Sequence, residues 1–313
     1  MIRDPEKENP ESLAGEIGVE GIEALPQRVS RYGKAKSGAI DVAEYIRSLV
    51  VSKATTDQRE QRLLALAHRV DECGDYLAFR HYHTIDSVRL HGASLCRKHL
   101  LCPLCAIRRG AKALAAYLER WEAIKGQTSA LKPFLVTLTV KDGEDLNQRF
   151  THLQRSQREL WMRKHRGRTS VLDVVKGAVW SYEVKRGTGS GLWHPHLHMV
   201  ALCESEPDQK QLVGEWQDIT GDSFIVDVRP IDQQDPVSGF IEVFKYAVKF
   251  SAQSPADTLH CHKVLGGRRL IGSAGLFRGV EIPENLLDEP LDDLPYVTYF
   301  YRFLRGAGYS LAR

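Results

Sequence analysis

The sequence predicts an α+β fold in which helices pack on a central antiparallel β-sheet, preceded by a cysteine-rich segment. Apolar and polar residues alternate along several segments, which is typical of strands with one buried face. Segments with helical periodicity separate these strands, and this order of elements suits a sheet with helices packed on it. The expected strands cover residues 134–140, 177–185, 193–202 and 224–228, and the expected helices cover 40–51, 57–70, 106–124, 145–164, 208–219 and 238–251.

The first elements are expected to be a polar, partly disordered N-terminal arm, residues 1–56, and a helix. The arm is predicted because large apolar residues are few up to residue 40. The helix at 57–70 has a clear start, since Asp57 and Glu60 have the spacing of a capping box.

The two strands at 177–185 and 193–202 are expected to form a hairpin. Residues 187–191, Gly-Thr-Gly-Ser-Gly, can turn the chain back between them. The strand at 134–140 is the clearest of the chain, because it is β-branched and alternating.

Charge is unevenly distributed along the chain, although the net charge is only +3. Residues 1–25 carry seven acids and two bases, and residues 281–293 carry six acids and no base, which predicts an acidic C-terminal extension at 281–313. No apolar run is long enough to cross a bilayer, so no membrane contact is expected. The first residues have no apolar signal core, so we expect a cytoplasmic protein.

Two clusters of basic residues lie between the acidic ends, and the second contains Trp161. Such clusters suit contact with nucleic-acid phosphates and stacking on bases, although a solvated helix face is the alternative. Basic residues early in the helix at 106–124 oppose the helix dipole, and a nearby phosphate would relieve that conflict. The first cluster is Arg97, Lys98, Arg108, Arg109 and Lys112, and the second is Arg155, Arg158, Arg163, Lys164, Arg166 and Arg168.

Four cysteines fall close together, Cys73, Cys96, Cys102 and Cys105, and the last two form a Cys-x-x-Cys pair. Cysteine thiolates bind zinc, and disulfides are disfavoured in a reducing cytoplasm, so we expect a structural Zn²⁺ site. A neighbouring histidine can replace one cysteine, and a redox-active pair is the alternative interpretation. Those histidines are His81, His83, His91 and His99.

The strand that begins at Trp193 carries three histidines on one face, because His194, His196 and His198 alternate with apolar residues. In the expected hairpin, Glu183 can lie across from them. Two imidazoles and a carboxylate suit a divalent metal with open coordination positions, Mn²⁺ or Mg²⁺. The third ligand is either Glu183 or His194, and a polar, solvated sheet face is the alternative to a metal site.

A third group of polar residues lies on the helix at 238–251, where Glu242, Tyr246 and Lys249 are spaced i, i+4 and i+7 on one stripe. Apolar residues of this helix can pack against the sheet and hold the stripe at a fixed distance from it. A helical tyrosine can equally serve packing, and Glu242 can equally form an ordinary helical pair.

These segments together resemble the HUH endonucleases, and among them the single-tyrosine group of plasmid rolling-circle replication initiators. His194-Pro195-His196-Leu197-His198 is similar to motif II of that group, and His196-Leu197-His198 is its His-hydrophobe-His signature. The strand at 134–140 resembles motif I. Tyr246-Ala247-Val248-Lys249, together with Glu242, resembles motif III. The resemblance covers about residues 73–277.

The resemblance implies a domain plan and a reaction. Residues 57–125 would form a helical, zinc-binding subdomain that contacts DNA, and residues 126–280 the HUH catalytic domain. Tyr246 would attack a phosphate of single-stranded origin DNA, which gives a 5′-phosphotyrosyl link and a 3′-hydroxyl primer. Lys249 would pair with the phosphate or favour the ionised tyrosine, and Glu242 would activate a water at termination.

The same resemblance implies the partners of the chain. They are the double-strand origin, single-stranded at the nick, and a host helicase with the replication machinery of a bacterial cytoplasm, and self-association is compatible with this role. Two other classes stay open. An HUH transposase or relaxase uses the same chemistry, whereas a non-catalytic zinc-ribbon DNA-binding regulator would keep the histidines as structural residues.

Overall fold

The computed structural model describes residues 24–50, 57–128, 130–167, 169–187, 189–244, 253–291 and 293–312. These residues form two compact units. The first unit contains the described residues up to Lys112 together with 254–259 and those from Pro283 onward, and the second unit contains those of 113–253 and 260–282. No helix in the described part of the chain is both long enough and apolar enough to span a membrane.

The described residues contain seven α-helices and nine strands, numbered in chain order. The helices are α1 (Leu25–Ser48), α2 (Gln58–Asp71), α3 (Pro103–Gln127), α4 (Leu146–His165), α5 (Gln209–Thr220), α6 (Val237–Phe244) and α7 (Pro255–Leu265). The strands are β1 (Tyr76–Tyr82), β2 (Ser87–Ala93), β3 (Lys132–Thr139), β4 (Val175–Arg186), β5 (Trp193–Cys203), β6 (Val226–Pro230), β7 (Ile271–Gly275), β8 (Val297–Leu304) and β9 (Gly308–Leu311). A 3₁₀ turn covers Val171–Val174.

The first unit is built on a four-stranded antiparallel sheet with the strand order β2-β1-β8-β9. Its strands come from distant parts of the chain, since Leu77 of β1 pairs with Tyr301 of β8. The segment expected as an acidic C-terminal extension therefore supplies two strands of this sheet. Because β8 and β1 are about 220 residues apart, no local pattern reveals their pairing.

Residues 25–40, which the sequence predicts to belong to a polar arm, are part of helix α1. This part of the prediction is wrong, because the buried stripe of the helix consists largely of small residues and one tyrosine, which a search for large apolar residues undervalues. Its members recur at helical spacing and are buried. They are Tyr32, Ala35, Ala39, Ala43 and Ile46.

Aspartate side chains fix the starts of three helices near the positions expected from the sequence. Asp57 Oδ1 accepts a hydrogen bond from the amide of Glu60 at 2.8 Å, which caps α2. Asp145 Oδ1 accepts from the amide of Gln148 at 3.0 Å and caps α4. Asp208 caps the first turn of α5 in the same way.

The second unit contains a five-stranded antiparallel sheet with the order β6-β3-β5-β4-β7. Helix α4 covers one face, where Phe150 packs against Tyr182 of β4 with ring centroids 5.3 Å apart. Helix α6 lies on the opposite face, because Ser181, whose side chain points away from that of Tyr182, donates to the carbonyl of Val243. The predicted α+β class, an antiparallel sheet with packed helices after a cysteine-rich segment, is confirmed.

Candidate active site

The hairpin of β4 and β5 brings several of the predicted metal ligands onto one face of the sheet. Glu183 lies directly opposite His196, and Ser181 lies directly opposite His198. Because successive side chains of a strand point to opposite faces, these four residues share the face that α6 covers. The alternating pattern of both strands and the short glycine-rich turn between them produce this register.

Three of these side chains converge closely enough to bind one ion. Oε2 of Glu183 lies 3.5 Å from Nε2 of His196 and 3.6 Å from Nε2 of His198. The ligand atoms of the three residues all lie within 4.8 Å of one another. Glu183 and His196 are each only 7% exposed, so water does not compete freely for their polar atoms.

The electrostatics of the group favour a cation. Burial alone would raise the pKa of Glu183, but His196 and His198 outweigh it and hold that pKa well below its ordinary value. Burial lowers the pKa of His196, which favours the neutral imidazole. An ionised carboxylate beside neutral imidazole nitrogens is a set of electron-pair donors that a divalent ion accepts.

Two observations bear on how the imidazole rings are oriented. Thr137 of β3 lies opposite His198, and its Oγ1 is 3.1 Å from Nδ1 of that histidine, which leaves Nε2 on the side of Glu183. A hydrogen bond to the second ring nitrogen is the usual way to orient a metal-binding histidine. Nδ1 of His196 is buried and has no hydrogen-bond partner among the described residues.

His194 is engaged elsewhere. Its Nδ1 forms a hydrogen bond with Oδ1 of Asp142, and Oδ2 of Asp142 accepts from the hydroxyl of Ser190. Burial lowers the pKa of His194, although the Asp142 carboxylate opposes this effect. Of the two candidates for the third ligand, the geometry gathers Glu183 with His196 and separates His194. The sequence analysis missed Asp142, and an Asp-Gly pair directly after a predicted strand is the signal that points to it.

Helix α6 lies on the same face of the sheet and contains Glu242, the first residue of the predicted catalytic stripe. Its contact with Ser181 runs through the carbonyl of Val243, and Glu242, half-buried, precedes that residue. The helix also packs against α3, since the rings of Tyr117 and Phe244 stack with centroids 5.0 Å apart. The predicted residues Tyr246 and Lys249 lie outside the described residues.

The donor set of Glu183, His196 and His198 fits a divalent metal ion with open coordination positions. Two imidazole nitrogens and one carboxylate oxygen suit Mn²⁺ and also other divalent ions, and Mg²⁺ prefers more oxygen ligands. The close approach of three buried or half-buried donor residues supports a bound ion rather than a solvated sheet face.

A second group, of four sulfur atoms, lies in the first unit. Cys73 follows α2, Cys96 follows β2, and Cys102 and Cys105 lie at the start of α3. The Sγ atoms of Cys73 and Cys105 are 3.5 Å apart, those of Cys96 and Cys105 3.6 Å, and those of Cys73 and Cys102 3.5 Å.

These distances fit zinc and exclude a disulfide. A tetrahedral Zn–S bond of about 2.3 Å gives sulfur atoms about 3.8 Å apart, whereas a disulfide bond is about 2.05 Å long. All four cysteines are free and buried. Hydrogen bonds with the other thiols, together with burial, raise the pKa of Cys102, whereas hydrogen bonds with those thiols lower the pKa of Cys96 against the opposing effect of its burial. The cluster can bind a metal ion through cysteine alone, without any of the candidate histidines.

The structure contradicts the expectation that Arg108 contacts DNA, because this side chain is buried. Its side chain is completely buried, Nη2 donates to Oδ1 of Asp288 at 2.7 Å, and Nε donates to the carbonyl of Leu286 at 2.6 Å. A guanidinium that is fully buried cannot reach a phosphate, so Arg108 is a structural residue of the first unit. Lys112 Nζ lies 3.6 Å from the same carboxylate, and Arg109 is half-buried.

The second basic cluster lies on α4, whose buried side packs on the sheet face opposite Glu183. Arg155 and Arg158 are exposed on this helix. The ammonium of Lys164 forms an intramolecular hydrogen bond, since its Nζ donates to the carbonyl of Leu172 at 2.9 Å. This lysine is therefore not free to bind DNA. Arg163 lies 3.9 Å from Asp218, and Arg166 pairs with Glu159 at 3.1 Å. Arg168, the last member of the cluster, lies outside the described residues. The ring of Trp161 packs against that of Trp180, with ring centroids 5.7 Å apart.

Comparison with known proteins gives consistent matches. The family model described as "Replication protein", Rep_1, matches residues 87–297. The chain is 29% identical over 254 residues to "Protein rep" of Streptococcus pneumoniae serotype 2 (strain D39 / NCTC 7466). This alignment covers 74% of this chain and 76% of that relative. It is 26% identical over 265 residues to "Protein rep" of Bacillus amyloliquefaciens, and 25% identical over 265 residues to "Protein rep" of a Bacillus sp..

The two Bacillus matches cover 73% of this chain, and 76% and 83% of the respective relatives. No solved structure matches the chain. The family match spans more than half of the chain and includes the hairpin of β4 and β5, helix α6 and three of the four clustered cysteines. The chain therefore belongs to the Rep_1 family of replication proteins, the plasmid Rep proteins of rolling-circle type.

Proposed function

We propose that the chain initiates plasmid rolling-circle replication in the bacterial cytoplasm as a metal-dependent DNA nicking-joining enzyme of HUH type. Its substrate is the double-strand origin, single-stranded at the nick, and its cleavage is site- and strand-specific. The observation that carries the proposal is the group of Glu183, His196 and His198 on the sheet face covered by α6. Tyr246 follows the last described residue of that helix by two positions in the sequence.

The first step is a transesterification by Tyr246. Its hydroxyl oxygen attacks the phosphorus, the bond from phosphorus to the 3′ oxygen breaks, and that oxygen takes a proton to become the 3′-hydroxyl primer. The product is a 5′-phosphotyrosyl link. A phenolate leaves more readily than an alkoxide, so the link stays reactive and the strand can be closed again. Lys249 pairs with the phosphate or favours the ionised tyrosine.

The metal ligands determine where this phosphate sits. Glu183, His196 and His198 would hold a divalent ion, Mn²⁺ or Mg²⁺, which would neutralise the charge that grows on the non-bridging oxygens. The hydrogen bond between Thr137 and His198 supports the orientation of one ligand. The low exposure of Glu183 supports a dry site in which such charge neutralisation is strong.

Glu242 ends the reaction. A single tyrosine leaves the protein attached to DNA, so release needs a second nucleophile, and a water activated by a carboxylate provides it. Glu242 precedes Tyr246 by four positions in the sequence, and the helix of Glu242 lies on the sheet face that carries the metal ligands.

Contacts outside the site bind the rest of the origin. Arg97 is exposed in the first predicted cluster, and Arg155 and Arg158 are exposed on α4, so these arginines, with the half-buried Arg109, keep a charge accessible for phosphates. Structural zinc in the four-cysteine cluster organises the first unit. A host helicase and the replication machinery act on the opened strand, and self-association of the chain is compatible with this role.

Incubation with supercoiled plasmid DNA that carries the cognate origin, in the presence of Mn²⁺, tests the proposal. The expected product is nicked DNA linked to protein, and Tyr246→Phe should form none. Covalent trapping on a single-stranded oligonucleotide separates an HUH enzyme from a non-catalytic DNA-binding regulator. Binding of origin DNA without any nick or covalent adduct, with metal present, would favour the regulator.

A further inference from the structure

One face of the sheet in the first unit carries two arginines that lie opposite each other. In the pairing of β1 with β2, Arg80 lies directly opposite Arg89. Like charges at directly opposite positions destabilise a sheet. We call the side of the sheet that carries these two residues the arginine face; it is turned away from Phe79, whose buried ring lies on the other side with Tyr32.

No acid within the described residues neutralises this pair. Nε of Arg80 and Nε of Arg89 are both buried and have no hydrogen-bond partner there. The acids at the two ends of β1 are already paired. Asp86 lies 2.9 Å from Nε2 of His81, and Asp75 lies 2.7 Å from Nζ of Lys36. Among the described residues neither guanidinium has an acidic partner, so both are available to an external anion.

Aromatic rings accompany the arginines on this face. The rings of Tyr76 and Phe300 stack with centroids 5.5 Å apart and planes at 16°, and Tyr76 is 37% exposed. The guanidinium of Arg80 lies over the ring of Tyr296 at 4.3 Å. Between the two groups the strands carry small residues, since Ala78 pairs with Gly92.

We propose that the arginine face binds single-stranded DNA, with a phosphate between Arg80 and Arg89 and a base stacked on the Tyr76–Phe300 pair. Arg80 lies four positions after Tyr76, which is about 13 Å along β1, so a short run of nucleotides spans both groups. Aromatic platforms beside cationic groups bind single strands with little sequence preference, because every base has a π-face.

The exposed rings favour a single strand over a duplex. In a duplex the bases stack on one another and are not offered to a side chain, so Tyr76 and Phe300 would contribute little to its binding. Arginines alone would suit duplex phosphates equally well. The surface belongs to the first unit, whereas Glu183, His196, His198 and Glu242 belong to the second, so the inference goes beyond the proposed nicking function and does not depend on it.

Fluorescence anisotropy with a labelled single strand of mixed sequence tests the arginines. The full chain is used with Tyr246→Phe, so that covalent attachment does not add to binding, and without added divalent metal. The double variant Arg80→Gln, Arg89→Gln should bind more weakly, and the slope of log affinity against log salt should decrease by about 0.7 for each phosphate contact removed. Arg62→Gln, an exposed arginine on α2, is the matched control and should change neither quantity.

Substitution of the rings tests the stacking. Tyr76→Ala or Phe300→Ala should weaken single-strand affinity by about fivefold to a hundredfold, and Tyr76→Phe should retain it, because stacking needs the ring and not the hydroxyl. Duplex affinity should change much less in these two variants. Equal losses for single strand and duplex would overturn the stacking mode.

Stability measurements separate binding from folding. Removal of one like charge should leave the melting temperature of Arg89→Gln equal to or above that of the parent, because the repulsion with Arg80 is relieved. A folded double variant with unchanged single-strand affinity and unchanged salt slope would overturn the proposal. If the parent protein does not nick origin DNA, the proposed nicking function is wrong, but the single-strand binding result still stands. Failure of the nicking proposal and failure of the binding proposal are therefore distinguishable.

Discussion

Glu183 and His196 face each other across β4 and β5, with Oε2 3.5 Å from Nε2. The same oxygen lies 3.6 Å from Nε2 of His198, so one ionised carboxylate serves two imidazoles. A slip of the hairpin by one residue would send Glu183 to the opposite face of the sheet, where α4 packs. The site therefore depends on the register of this hairpin as much as on the identity of its residues.

His196→Ala or His198→Ala should abolish nicking while origin binding remains largely intact. The ligands act on one phosphate, whereas phosphate contacts elsewhere dominate the affinity for duplex DNA. Nicking of supercoiled plasmid with Mn²⁺ and a gel-shift measurement on the same preparations check both parts. Full nicking activity in either variant would remove the metal assignment.

Glu183→Ala should lose Mn²⁺ binding, and His194→Ala should retain it. The first removes the only acidic donor of the three-residue group, while the second removes a side chain that hydrogen-bonds with Asp142 instead. Titration calorimetry of Mn²⁺ into each variant measures the difference, and His194→Ala is the matched control on the same sheet face. The opposite ranking would make His194 the third ligand.

Elemental analysis should find about one zinc per chain, and Cys102→Ser or Cys105→Ser should lower the melting temperature strongly. A structural zinc site contributes to folding free energy directly, so loss of one thiolate is felt by the whole first unit. Cys203→Ala is the control, since Cys203 is buried but belongs to β5 of the second unit and is not a member of the cluster. A fully folded preparation without zinc would contradict the zinc prediction and leave the nicking proposal untouched.

Asp288→Asn should destabilise the protein by about 3–5 kcal/mol, because it leaves the buried guanidinium groups of Arg28 and Arg108 without their carboxylate. Glu289→Gln, next to it and exposed, should have little effect. Chemical denaturation at neutral pH measures both. Equal unfolding free energies for the two variants would show that the pairing does not stabilise the fold.

The pKa of Asp288 predicts how the difference in unfolding free energy between the parent and Asp288→Asn depends on pH. Burial alone would raise the pKa of Asp288, but Arg108 and Arg28 outweigh it, so the folded-state pKa is depressed. A depressed pKa contributes stability that is present above the unfolded-state pKa and is lost as the pH falls toward the folded-state value. The advantage of the parent over Asp288→Asn should be complete above about pH 5 and shrink below about pH 4.

Glu242→Ala should keep initial nicking and covalent attachment but lose hydrolytic termination, so that multimeric single-stranded DNA accumulates. The carboxylate is needed only when water replaces a second tyrosine. Glu242→Tyr should restore termination by transfer to the new hydroxyl. Ser238→Ala, an exposed residue on the same helix, is the control, and normal termination by Glu242→Ala would show that another base serves this step.

The features that the sequence predicts well are those in which local pattern and packing agree. The hairpin register that pairs Glu183 with His196 follows from two alternating strands and a short glycine-rich turn. The starts of α2, α4 and α5 follow from capping aspartates. In each case the residues that determine the structure are neighbours in the chain, so the α+β class and the face of the histidines could be predicted.

The features that the sequence does not predict depend on distant partners. In the sequence, Arg108 looks like any other member of a basic cluster. Its burial is explained only by its pairing with Asp288, 180 positions later. The sheet of the first unit was not predicted for the same reason, since β1 pairs with β8. The first part of helix α1, before residue 40, was missed because Ala35 and Ala39 contribute little apolar weight although they are buried.

The pairing of β1 with β8 also sets an order of assembly on the ribosome. Leu77 is synthesised about 220 residues before its partner Tyr301, so the central strand of the first sheet must wait for the last part of the chain to leave the exit tunnel. The second unit needs no residue beyond 282 and can complete its five strands earlier. A premature stop before Val297 would therefore leave the hairpin of Glu183 and His196 encoded in full while the first sheet loses half of its strands.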